Sequence, residues 1–504
     1  MKDVPLQHYL DARVSVVLAG KAALGIGLLI LSGIAMAGPV YQPQGANLVL
    51  GDVTHGGRVQ SASSNPAAAA AESARRDGKP VRGTVISGAA GLEYGNIQNL
   101  FDYYDSVTGA YKPSDPGEGG GGPGQLPGDK PGGIDLGQIW DRLDPDVQAA
   151  VEVVAVEVVR QTALLAVIKD EGYGKAWLAA DAPFVIGNEY LGGAWTFGVD
   201  WSGTSKAFGL ATALQFDEDA ARAALEDWFN TLPINRPSLL SLSDDVLLTI
   251  DPESNGVLFS IDNDSSFIAK STRTTEFNLG YSRSVGAYRS GSLYLGAEAR
   301  LYLQQLSRLS VRFGDITDSE ELFDAIRDSD FRSDTGAGID VGALWVGRNF
   351  QLGAQVTNLN EPKFRFPDVN LEPYTDDDVI RFLSKDKVYK MDRQLKLEAS
   401  VFKPDRRWSA HLGYAVDPVT DPMGDRFQWL TLSAGFMTDS RWVPGWRIGY
   451  RRNLAGTELG YVGIGVTAFK FLNIDISSAL DTTQIDGTKL PQGLMGSIGF
   501  QIIW

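Results

Sequence analysis

The stretch that most restricts the fold is the last one, Gly496–Trp504, reading G-S-I-G-F-Q-I-I-W. Ile498, Phe500, Ile502 and Trp504 fall on one face, and Ser497, Gly499 and Gln501 on the other. A period of two with one apolar face and one polar or small face makes a β-strand. Outer-membrane barrels habitually close on such a strand, with an aromatic at its end. There the last strand seals the barrel and carries an assembly signal, for which Phe500, Ile502 and Trp504 are the candidates. Such a barrel requires many similar strands and an export signal.

The strands are present. Leu293, Leu295, Ala297, Ala299, Leu301 and Leu303 alternate with Tyr294, Gly296, Glu298, Arg300 and Tyr302. About ten residues is the length a tilted membrane strand needs. The pattern recurs near residues 339–345, 350–356, 395–401, 430–436, 446–450 and 472–476. Trp195–Trp201 and Lys206–Phe216 read as a hairpin, and Thr84–Tyr94 as a first strand. The expectation is a single transmembrane antiparallel β-barrel of about 14 strands, with long acidic loops at 313–335 and 362–390. Mean hydropathy of −0.10 excludes a helical membrane bundle, which needs apolar runs of roughly 20 residues. Alternating faces average a barrel to near zero. A soluble β-sandwich shares the alternation, but explains neither the terminal aromatic nor the charges on the polar faces.

Upstream, Lys2, Arg13 and Lys21 precede or flank an apolar core at Ala22–Ala35, and Ala35-Met36-Ala37 forms an A-x-A site. Residues 1–37 read as a signal peptide. Residues 38–82 follow as an N-terminal plug segment containing Asn65-Pro66-Ala67. Asn-Pro forms a turn, and Pro66 could open a short helix over Ala67–Ala71; an Asx-Pro turn alone is the simpler reading. Residues 83–182 hold the first strand, a Gly/Pro-rich linker over Lys112–Gly133 and a helical insertion at Asp144–Lys169. A second helix is expected near Asp217–Phe229, and the barrel proper over 183–504.

The N-terminal Asn65-Pro66-Ala67 resembles the plug of FadL-type fatty-acid and hydrocarbon transporters. The runs G-S-L-Y-L-G-A-E-A-R-L-Y (Gly291–Tyr302), G-A-G-I-D-V-G-A-L-W (Gly336–Trp345) and N-F-Q-L-G-A-Q-V-T-N-L-N-E-P-K-F (Asn349–Phe364) narrow this. They resemble the TraF-type outer-membrane family named from a plasmid transfer operon, within the FadL-like barrel group. The resemblance covers roughly Asn65–Trp504, while the linker at Gly117–Gly133 departs from it.

If the apolar faces meet lipid, Glu298, Arg300, Asp340, Lys396, Glu398, His411, Arg447, Arg451 and Asp475 line the lumen. Glu298 with Arg300, and Lys396 with Glu398, should point inward to opposite charges. Catalysis is not expected: His8 leaves with the signal, leaving His55 and His411, and no Gly-x-Ser-x-Gly occurs. His411 could reach Ser409 or Ser433. No cofactor is expected. The acids at 251–255, 262–264 and 376–378 read as solvated loop groups rather than metal sites. The net charge of −17 disfavours nucleic acid. Zero cysteine excludes disulfides and thiol chemistry. The expected partners are outer-membrane lipid and lipopolysaccharide, the barrel-assembly machinery through the C-terminal strand, and a small apolar or amphipathic solute. The expected function is a plugged channel. The alternative is a structural component of a conjugative-transfer or surface apparatus anchored by a barrel.

Overall fold

The structure, a computed structural model, describes residues 44–55, 59, 61–75, 82–95, 172–212, 223–224, 238–243, 245–251, 256–261, 263–312, 315, 329–385, 387–438, 440–485 and 488–503. The signal segment, the linker, the Asp144–Lys169 helix and Trp504 lie outside them. So does most of the Asp217–Phe229 helix, of which Ala223 and Ala224 are described and helical.

Fourteen antiparallel strands close into one barrel. In chain order they are β1 Arg82–Tyr94, β2 Tyr173–Tyr190, β3 Gly193–Leu210, β4 Ser266–Tyr288, β5 Gly291–Arg312, β6 Arg332–Val346 and β7 Phe350–Thr357. They continue with β8 Gln394–Phe402, β9 Trp408–Ala415, β10 Trp429–Phe436, β11 Gly445–Asn453, β12 Gly460–Ala468, β13 Leu472–Ala479 and β14 Gly493–Ile503. The seam joins β1 to β14 antiparallel, from Gly83 opposite Ile503 to Glu93 opposite Gly493. Closure leaves no unpaired edge, the condition for β-structure in hydrocarbon.

The count of 14 agrees with the alternation. Two local readings do not. The described part of the expected hairpin at Trp195–Trp201 and Lys206–Phe216 is, up to Leu210, one continuous strand, β3, because β2 and β4 pair with it on both sides and hold Ser202-Gly203 in the ladder. The barrel also begins at Arg82 and takes in all of β2, earlier than the boundary at 183.

The apolar faces point outward. Ile464 is 63% exposed and Ile502 55%, whereas Ser497 on the opposite face of β14 is 7% exposed. Aromatic side chains gather at one rim, where Trp408 lies 5.4 Å from Trp446, and Phe471 stacks 6.5 Å from Phe500. That rim carries the short turns, such as Leu191-Gly192, where positive φ at both residues (57° and 67°) makes the primed turn that suits a hairpin. The strands' other ends carry the long connections. The start of β1 and the end of β14 lie at the short-turn rim.

The residue 362–390 connection is a folded module rather than a plain loop. Lys363–Arg365 pairs with Val388–Lys390. Asp376 caps the helix Asp377–Lys385, accepting from the Asp378 N–H at 2.7 Å and the Val379 N–H at 3.1 Å. Phe364, Phe366, Tyr389 and Met391 pack on Tyr302 and Leu306 of the long strand β5. Asp264 accepts from the Thr375 N–H at 2.6 Å, so the acids near 264 and 376 tie the module to β4.

Candidate functional site

Residues 44–55, 59 and 61–75 lie inside the barrel. Three short helices form there: Asn47–Leu50, Ser61–Ser64 and Ala68–Arg75. Small side chains let this segment run against the wall. A Cβ on Gly449 would sit 1.8 Å from the Val49 carbonyl, and one on Gly342 2.2 Å from Asn65 Oδ1. Only glycine fits such approaches.

Asn65 and Pro66 form a turn that also starts the third helix. Asn65 Oδ1 accepts from the Ala67 N–H at 3.0 Å, and the Asn65 carbonyl from the Ala68 N–H at 2.9 Å. The Asn-Pro turn forms, but not alone: a helix follows it at Ala68–Arg75. Asn65 Nδ2 also donates to Glu398 at 3.1 Å, and Thr54 gives Glu398 its backbone N–H and, at 2.8 Å, its hydroxyl. Ser433 donates to the Leu50 carbonyl at 2.8 Å, and the Ala70 N–H donates to Ser282 at 3.0 Å. Each such bond contributes about 1 kcal/mol net, so strands on several sides of the lumen share the anchoring.

The inward charges are sorted into groups. Arg300 meets Glu276 at 2.5 Å, Glu298 at 2.7 Å and Asp340 at 2.9 Å. Arg447 grips Asp475 with Nε at 2.5 Å and with Nη2. Lys396 and Glu398 do not pair with each other. Lys396 pairs with Asp52 of the inner segment, and Glu398 meets neutral donors instead of a cation. The segment, unavailable to strand-by-strand reading, supplies both partners. Arg451 sits over the rings of Trp429 (4.7 Å) and Tyr461 (5.1 Å). His411 lies 2.8 Å from Ser400 Oγ and 2.9 Å from Ser409 Oγ, its ring centre 4.5 Å from that of His55. Ser433 instead serves the inner segment. Phe500 and Ile502 face outward. Among the described residues, no group of three or more His, Asp or Glu side chains is placed to hold a metal ion.

The connection between β9 and β10 was not anticipated. Val419-Thr420 pairs with Arg426-Phe427, and the tip Asp421–Asp425 turns at Gly424 with φ of 94°. This hairpin leaves β9 and β10, crosses the mouth and reaches β2 and β3, seven places away around the 14-stranded wall. Asp421 meets Lys175 at 2.6 Å, while Asp425 meets Lys175 at 2.8 Å and also Lys206. Lys175 lies 4.6 Å over the Phe427 ring. Burial opposes ionisation of Asp425, but Lys175 and Lys206 outweigh it and hold its carboxyl below the usual range. Burial raises that of Asp421, against the pull of Lys175. The available signal was four cations, Lys175, Lys206, Lys270 and Arg308, at inward positions that require acid.

Between segment and hairpin lies a cavity of about 220 Å³. Asn47, Asp52 and Ser64 of the segment bound it on one side, and Val419 and Phe427 of the hairpin on the other. Asp181, Asp200, Glu276, Arg300 and Tyr302 belong to its wall. The lumen therefore holds a small, partly open chamber bordered by both the segment and the hairpin.

Residues 62–414 match the family model described as "F plasmid transfer operon, TraF, protein". No curated protein matches the chain. Similar solved structures include the Ralstonia pickettii toluene transporter TbuX, 10% identical over 91% of this chain and 98% of that one, with TM-score 0.39. The Pseudomonas putida toluene transporter TodX is 9% identical over 93% and 99%, at TM-score 0.36. A Pseudomonas aeruginosa FadL homologue is 13% identical over 93% and 99%, at TM-score 0.33.

Proposed function

From a chain that belongs to the F plasmid transfer operon TraF protein family, we propose an outer-membrane channel held shut at two levels. The barrel's apolar exterior faces lipid, with lipopolysaccharide in the outer leaflet. The short-turn rim faces the periplasm and the long connections face outside, as in outer-membrane barrels generally. Export uses the N-terminal signal, and the assembly machinery reads the last strand through Phe500, Ile502 and Trp504. Residues 44–75 are the inner plug, and the Val419–Phe427 hairpin is the outer lid.

The partly open chamber between plug and lid carries this reading. A solid anchor has no need of a lumenal cavity bounded by two separately tethered elements. The lining offers polar and apolar surface in about equal measure, which favours a small amphipathic solute over a purely apolar one.

Single-channel recording in planar bilayers tests the proposal. Wild type should be nearly silent. Asn65→Ala with Pro66→Gly should loosen the plug, and Asp425→Asn should loosen the lid. Combining all three should give discrete conductance above either alone. Silence in the combined variant, with a folded barrel on heat-modifiable gels, would refute the channel.

One observation favours the structural alternative. Strands β4 and β5 run 23 and 22 residues, about twice what a crossing needs, so their far halves project with the 363–390 module packed on them. That projection suits presentation to another surface component. Loss of a cell-surface or transfer phenotype on deleting residues 363–390, with conductance of the loosened variant intact, would support it.

A further inference from the structure

The chamber wall carries a like-charge row. Asp181 on β2 stands directly opposite Asp200 on β3, and Asp200 directly opposite Glu276 on β4. All three line the cavity. Carboxylates in direct cross-strand register repel one another. The nearest lumenal guanidinium, Arg300, is already divided among Glu276, Glu298 and Asp340, and Lys396 is engaged by Asp52. Asp200 accepts from Asn278 Nδ2 at 2.8 Å through Oδ2, but its Oδ1 receives no hydrogen bond among the described residues.

A second observation comes from the plug. Asn47 is 6% exposed and borders the same cavity. Its Nδ2 donates to Ser64 Oγ at 2.7 Å, while its Oδ1 receives no hydrogen bond among the described residues. A buried acceptor without a donor is rare and unfavourable. Wall and floor thus each hold an acceptor oxygen that receives no N–H or O–H donor among the described residues.

We propose that the chamber is a binding site for a small organic cation, an alkylammonium or diammonium whose N–H groups meet Asp200 and Asn47. This deepens the channel reading and rests on it for the solute's route, though not for its binding. Lys175, Lys206, Lys270 and Arg308 form a cross-strand row six residues, roughly 20 Å, toward the mouth. With the lid seated, Asp421 and Asp425 cover Lys175, and Asp425 also meets Lys206.

Isothermal titration of the full chain in detergent micelles tests the site, with putrescine as probe. Butane-1,4-diol and succinate, of the same carbon count but neutral and anionic, are the controls. Putrescine should bind and the controls should not. Asp200→Asn should weaken putrescine at least tenfold and Asn47→Ala severalfold, while Asp378→Asn on the exposed helix leaves it unchanged. Heat-modifiable gel mobility verifies that each variant is folded. Equal putrescine binding by folded Asp200→Asn and wild type, no binding to folded wild type, or equal binding of diol or succinate would each overturn the proposal. Binding without conductance in the plug- and lid-loosened variants would sink the channel and leave the site; conductance without binding would sink the site alone.

Discussion

Lys175 and Lys206 stand directly opposite each other on neighbouring strands, and one carboxylate from across the lumen, Asp425, meets both. Two opposed ammonium groups facing a lumen are unfavourable unless an acid joins them. Removing one member of a buried ionic cluster costs about 3–5 kcal/mol, because the other charges stay buried without it. Asp425→Asn should therefore release the hairpin. The check is limited proteolysis at Val419–Phe427 on intact cells, where the variant should be cut and wild type spared.

Acidification should not release it. Asp425 is held below the ordinary carboxylate range by the two lysines, so its contribution is complete above the unstructured aspartate pKa of about 3.9 and is lost only as pH falls through its lower seated value. Asp421 is raised by burial, so the seated hairpin takes up a proton more readily than the released one, and mild acid favours seating. Both signs agree. Protease resistance of the hairpin should hold from about pH 7 to about pH 5; cleavage rising over that interval would contradict the assignment.

Gly449 offers a test of the plug that removes no hydrogen-bonding side chain. Its missing Cβ is the space occupied by the Val49 carbonyl. Gly449→Val should push the Asn47–Leu50 helix off the wall, and about 1.5–3 kcal/mol per buried Leu or Val side chain would be forfeited as Leu48, Val49 and Leu50 lose contact. Faster deuterium uptake over residues 47–54 is the expected readout, with the β1–β14 seam unchanged.

The outer face predicts its own mutational cost. Ile464 projects from β12 with 63% of its surface exposed. An arginine near the bilayer midplane costs about 2–4 kcal/mol. Ile464→Arg should lower the unfolding free energy by that amount in lipid vesicles, whereas Thr467→Ser, near the rim, should be almost neutral. An unchanged value for Ile464→Arg would place this strand away from lipid.

The wall was legible in the sequence because each strand states its own pattern. Leu295, Leu301 and Leu397 declare their face through immediate neighbours, and a closed barrel of 14 followed. The interior was legible only in part. Glu298 and Arg300 sit two residues apart on one strand, so their pairing was local enough to anticipate. Lys396 and Glu398 are spaced the same way, yet their partners, Asp52, Thr54 and Asn65, come from more than 300 residues upstream. The row Asp181, Asp200 and Glu276 required the register between three strands, set by the Leu191-Gly192 turn and by the β3–β4 pairing across a connection of some fifty residues. The lid went unread in the sequence because its counter-charges lie on the opposite wall.

The seam from Gly83 to Ile503 joins the earliest described strand to the latest. Residues 44–75 precede that first strand, yet the finished wall surrounds them. During export they emerge before any wall exists, and the cylinder cannot close until the final strand arrives. The enclosed segment must then settle into an open, curved sheet, which grows around it as a casting grows around its core. Defects in its fit should appear first as slow or failed ring closure, before they appear as leakage.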